Sequence, residues 1–118
     1  MIYYIRAIQQ DWPTVESLAI ALGVAHRTED GTLIGDGWVF IGPIYRDGVA
    51  VTDANGNEYL HANLVYDGSL RALAESRAAD HPELAAALQE VPRYFVTDEN
   101  GQHVAPQNPY RRIAGYQY

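Results

Sequence analysis

Two stretches of the chain place acidic and amide oxygens at close spacing: VTDANGNEY from Val51 and VTDENGQHV from Val96. Such spacing could hold calcium, whose loops supply oxygens at positions one, three and five, a glycine at six and an acid at twelve. Counted from Asp53, Asn55 and Asn57 fit, but the glycine stands at position four and Leu64 at twelve. Counted from Asp98, Gln102 stands at five and Pro109 at twelve. Neither is a calcium loop. A duplicated module would repeat its apolar periodicity along with its turn, yet the flanks YRDGVA and EVPRYF share nothing. The remaining reading is strand, Asp-x-Asn-Gly turn, strand, used twice because Asn-Gly accepts the positive φ of tight turns.

Other chemistry is equally sparse. His26, His61, His81 and His103 form no His-x-His, His-x3-His or His-Glu pair, so no metal-ligand spacing is present. His61 lies in a β-rich run beside Asn63, on a face expected to meet solvent, and is the histidine with most scope for chemistry. Ser17, Ser69 and Ser76 fall on or at helical segments without the Gly-x-Ser-x-Gly context of a hydrolase nucleophile. A phosphate loop needs a lysine and the chain has none. Fifteen acids always offer some pair in space, so a hydrolase site uniting carboxylates with His61 only in the fold stands as a minor alternative.

The elements that would position these residues follow from composition and pattern. At 118 residues, 47% apolar and 19% charged, the chain has the makings of a single domain with its own core. Cysteine is absent, which excludes disulfides, thiolate zinc sites and a thiol nucleophile. No apolar run approaches the roughly 18 residues of a membrane span. MIYYIRAIQQDW lacks the basic start and apolar stretch of a signal peptide. The expectation is a cytoplasmic chain with no membrane partner. A net charge of −7 repels phosphate backbones and argues against nucleic acid.

IYYIRAI reads as a strand. DWPTVESLAIALGV reads as a helix over residues 13–22: Asp11 or Thr14 can cap it, Pro13 suits its first turn, and Gly23 ends it. Val15, Leu18, Ala19 and Leu22 make its apolar stripe. Residues 26–37 are polar and glycine-dotted, with a short edge strand at 32–34. GWVFIGPIY, GVAVTD and EYLHANLVY are joined by Asp-Gly and Asn-Gly and read as a three-stranded antiparallel meander over residues 38–66. Leu60, Ala62 and Leu64 would face the core, with Tyr59, His61 and Asn63 opposite. Residues 69–91 read as two helical pieces, the first capped by Ser69, the second opened by Pro82 and stopped by Pro92. A last strand, RYFVTD, turns at Asn100-Gly101 into QHVAP.

The fold class is therefore α+β: an antiparallel sheet of about five strands with one face covered by two to three helices. Residues 1–108 form the domain and 109–118 an extended segment. That segment, PYRRIAGYQY, carries Tyr110, Arg111, Arg112, Tyr116 and Tyr118, and tyrosine and arginine bring large contact area with a polar handle to protein interfaces. A final strand closing the sheet is the competing reading of the same residues.

In order along the chain, YYIRAI, FIGPIY, YLHANL, SLRALAES, HPELAAAL and PRYFVTDENGQHVAPQNPYR resemble small proteins encoded among the head and tail genes of tailed phages and prophages. The resemblance implies a part in or near the virion, in head or tail completion or assembly. It brings no functional residues with it. The expectation is a non-enzymatic, protein-binding module without cofactor or metal, acting on a protein partner or on itself. Its alternative is a small acidic inhibitor or regulator of a host protein.

Overall fold

Ile2–Ile8 (β1) alternates Tyr3, Ile5 and Ala7 on one face with Tyr4 and Arg6 on the other, and lies beside Tyr59–Val65 (β7) along its whole length. The computed structural model describes residues 2–96, apart from the side chains of Arg46 and Val96. After β1 and a single turn at Gln9–Asp11, the chain enters α1 (Trp12–Leu22). Its expected stripe of Val15, Leu18, Ala19 and Leu22 is buried. Gly23 ends the helix at φ 78°, a left-handed conformation that glycine adopts without steric cost. Neither Asp11 nor Thr14 provides the side-chain cap: no such hydrogen bond is made at this helix start. The Asp11 carboxylate instead accepts from the Tyr94 hydroxyl at 3.4 Å.

His26–Arg27 (β2) and Leu33–Ile34 (β3) form a small antiparallel ladder, so the expected edge strand exists but pairs outside the main sheet. Trp38–Gly42 (β4) joins the main sheet. Tyr45–Arg46 (β5) and Val49–Ala50 (β6) form a separate hairpin turned by Asp47 and Gly48, both at positive φ as a two-residue turn requires. The chain then returns as β7. Leu70–Asp80 (α2), a turn at Pro82–Leu84, Ala85–Leu88 (α3), Val91–Tyr94 (α4) and Phe95–Val96 (β8) complete the described elements.

The class is α+β, but the five-stranded sheet and the continuous meander over 38–66 are not what forms. The main sheet runs β4-β7-β1-β8, every pair is antiparallel, and β8 contributes only two residues. Strands β4 and β7 pair directly, and the stretch expected to lie between them leaves as the hairpin. The cause sits at residues 40–43. The register slips between Phe40 and Gly42, Gly42 takes φ 85°, and Pro43 follows without a backbone N–H for the ladder. Pro92 does not stop a helix either. It stands in the first turn of α4, where its missing N–H costs nothing, and Tyr94 of the expected strand is helical.

The core lies between one face of this sheet and the helices. Tyr3, Ile5, Ala62, Leu64 and Trp38 pack with Leu18 and Leu22 of α1, Leu70 of α2, Leu88 of α3 and Val91 of α4. The expected inward set of β7 is right: Ala62 and Leu64 are buried and Leu60 packs against them. Among the described residues no helix is long and apolar enough to cross a membrane.

Candidate functional site

The residue with most scope for chemistry, His61, is 2% exposed and its neighbour Asn63 is 0% exposed, which corrects the expectation of a solvent-facing pair. Strand β7 runs between β4 and β1, so its second face is flanked by side chains from both neighbours. Tyr4 stacks on His61 with ring centroids 5.8 Å apart and planes 14° from parallel, and its hydroxyl lies 3.1 Å from His61 Nδ1. Tyr59 meets the imidazole edge-on, and the Arg6 guanidinium sits 4.4 Å above the Tyr59 ring. These groups contact one another by stacking, cation–π contact and the hydrogen bond at His61 Nδ1, while the buried Nε2 of the same ring has no hydrogen-bond partner among the described residues. Among the described residues no group of three His, Asp or Glu side chains is placed to hold a metal ion.

The first Asp-x-Asn-Gly loop is a self-contained turn. Asp53 Oδ1 accepts from the backbone N–H groups of Asn55 and Asn57, both at 2.9 Å, and Oδ2 accepts from the Asn57 side-chain amide at 3.1 Å. Gly56 takes φ 82°, and Thr52 bridges Glu58 across the loop. The carboxylate oxygens that would have bound a cation are spent on the turn, and the Asn57 N–H bonds lower the Asp53 pKa from its ordinary 3.8. All but the first residue of the second copy, and Tyr110, Arg111, Arg112, Tyr116 and Tyr118 with it, lie outside the described residues.

A concave surface appears instead on the helical side, at a place that sequence reading did not single out. It begins with α2, which Ser69 opens by accepting from the Ala72 N–H at 3.2 Å. Leu70, Ala74 and Ala78 recur every four residues and so share one face. Across from them stand Ala85 and Leu88 of α3, with Val91, Pro92 and Phe95 beyond. Pro82, at the head of the intervening turn, breaks the helical run so that α2 and α3 are separate pieces rather than one rod. Because three of the facing residues are alanines, the two walls do not fill the space between them. What remains is a groove of about 670 Å³.

Buried Leu70, Leu88, Val91 and Phe95 give the groove its apolar lining. At its rim Arg71 and Glu75 pair at 3.4 Å, both largely in solvent, an exposed i,i+4 pair that contributes little to stability. The chemistry of the groove is that of burial: it can exclude water from apolar side chains placed in it. The arginine of α2 that faces the other way, Arg77, donates Nε–H to the Ala21 carbonyl at 2.9 Å and fixes α2 against α1. Only the periodicity of Leu70, Ala74 and Ala78 hinted at the groove, and that pattern reads equally as ordinary core packing.

Exposed apolar side chains also mark the separate β5–β6 hairpin. Tyr45 is 54% and Val49 68% exposed on the β5–β6 hairpin. A second, smaller and more polar hollow of about 290 Å³ lies between residues 23–26, 35–37 and 64–66. No family model, curated protein or solved structure matches this chain.

Proposed function

We propose that this chain is a non-enzymatic protein-binding module that docks its partner in the α2–α3 groove. The single observation that carries the reading is an apolar concavity of about 670 Å³ lined by Leu70, Leu88, Val91 and Phe95. Helical grooves of this kind receive the apolar face of a partner segment. The resemblance of its sequence to small head and tail proteins of tailed phages supports placing the partner in a virion or its assembly, within a host cytoplasm. The Tyr- and Arg-rich residues 109–118 are proposed as a second contact.

The second reading, a small acidic inhibitor or regulator of a host protein, draws on the net charge of −7. It requires binding that weakens steeply as salt is raised. A docking groove dominated by burial requires binding that salt changes little.

The test uses the full chain with Ala78→Arg, which places a long cationic side chain at a half-buried groove position that can keep its head in water. The wild-type chain should recover a specific partner from the cells that produce it. The variant should lose that partner while unfolding at the same temperature. A wild-type chain that recovers no partner, or a variant that retains it, contradicts the proposal.

A further inference from the structure

The side of the main sheet away from the helices is buried as well. Tyr4 is 3% exposed and Ile41 5%, and among the described residues these are the two buried apolar side chains outside the core cluster. Tyr4 pairs in register with Asn63 and Arg6 with His61, so these four share one face, and Ile41 stands at the bulge beside the Gly42–His61 pairing. Side chains stand roughly perpendicular to a sheet, so neighbours on adjacent strands shield one another's flanks and leave the tips open. An asparagine on an inner strand reaches 0% exposure, as Asn63 does, when a second layer lies over it.

The described elements do not supply that layer. Helices α1–α4 pack on the opposite face, and the β2–β3 ladder joins the same core through Leu33. The β5–β6 hairpin pairs with itself and holds Tyr45 and Val49 in solvent. The chain beyond β8 starts in the right place: Val96 lies opposite Tyr4, so residues 97–118 leave the sheet beside this face. From β1 across β7 to β4 is two strand spacings, roughly 10 Å, which a few extended residues span. Residues 109–118 bring Tyr110, Ile113, Tyr116 and Tyr118. Their apolar bodies suit Tyr4 and Ile41, and tyrosine hydroxyls can meet buried polar groups such as Asn63.

We infer that residues 109–118 form the second layer, folded back within the same chain over Tyr4, Ile41, His61 and Asn63. The α2–α3 groove, on the other side of the sheet, is left to its partner. Any contact that residues 109–118 make with a partner is made from the docked position.

A spin label tests this on the full chain. The sequence has no cysteine, so one introduced by Ala114→Cys carries the label alone. Methyl NMR then reads which side chains it broadens. Val39, in register with Asn63, and Ile41 should lose intensity most, and Ala78 and Ala85 of the groove least. Adding Tyr110→Ser and Tyr116→Ser should remove the broadening of Val39 and Ile41. Broadening that persists in that variant would overturn the aromatic anchoring. Unbroadened Val39 and Ile41 in the parent would overturn the layer and leave the groove reading intact. Broadening centred on Ala78 and Ala85 would overturn the layer and the free groove together. In a mixture of spin-labelled chains with isotope-labelled chains lacking the spin, Val39 and Ile41 should stay sharp. Broadening there would assign the layer to a second copy and overturn its place within one chain.

Discussion

Tyr4 and His61 meet diagonally across neighbouring strands on the side of the sheet away from the core, hydroxyl to Nδ1 at 3.1 Å, with their rings stacked. The pair makes a polar contact of a buried region, where a hydrogen bond lost leaves a group that water no longer serves. Tyr4→Phe should therefore lower stability to urea by about 1–3 kcal/mol. A double-mutant cycle with His61→Phe should return a coupling of about 0.5–1.5 kcal/mol. A coupling indistinguishable from zero would contradict the bond.

The Asp53 turn predicts an acid-side titration. Bonds from the Asn57 backbone N–H, then from the Asn57 side-chain amide, hold the carboxyl below its ordinary 3.8. A depressed carboxylate contributes stability that is present above the unfolded pKa and is lost as pH falls through the folded one. Carboxyl-detected NMR should find the Asp53 midpoint below 3.8. Asn57→Ala, which removes the side-chain amide bond and keeps the backbone N–H, should raise it part of the way. A wild-type midpoint at or above the ordinary value would remove this account of the turn.

Much of the chain's local structure was readable before its pairing was. Pro13, Gly23 and the Val15–Leu18–Ala19–Leu22 stripe marked α1, and Ser69 marked the start of α2, because caps and helical periodicity are local signals. Asp47-Gly48 and Asn55-Gly56 were read correctly as turns for the same reason. Which strand lies beside β7 is a long-range choice: β1, more than fifty residues away in sequence, takes one side by virtue of its β-branched and aromatic residues. The break at Gly42 and Pro43 that expels the middle strand looks, in sequence, like any turn signal. His61 was misplaced because alternation separates two faces and does not say that the polar one meets water. The groove was hidden in alanines that read as good helix formers, since only the packing of α2 against α3 shows that they leave space.

Close backbone approach makes a different glycine prediction from turn geometry. A Cβ on Gly37 would clash with the Val65 carbonyl oxygen, whereas at Gly31 nothing lies within 4 Å and only φ +87° resists substitution. Gly37→Ala should cost about 3 kcal/mol as strand β7 is pushed away. Gly31→Ala should cost roughly 1–2 kcal/mol from the left-handed backbone alone. Thermal unfolding of the two variants orders them; equal losses would contradict the close approach.

The groove depends on a well-formed α2. Removing its cap with Ser69→Ala should reduce stability by about 1 kcal/mol, while Ser69→Asp should retain most of it because a carboxylate oxygen can accept the same N–H. The readout is the urea midpoint at constant slope. A loss as large in Ser69→Asp as in Ser69→Ala would mean the Ala72 N–H bond is not what holds the helix start.

The central claim is that a partner protein sits in the α2–α3 groove, and a photocrosslinking side chain placed at residue 78 tests it most directly. The full chain would be irradiated in the cells that produce it, beside a control carrying the same group at residue 76, on another side of α2. The account predicts one discrete protein adduct from residue 78, absent from residue 76 and lost when Ala74→Arg blocks the groove. Identical adducts from both positions, or none from residue 78, would contradict it.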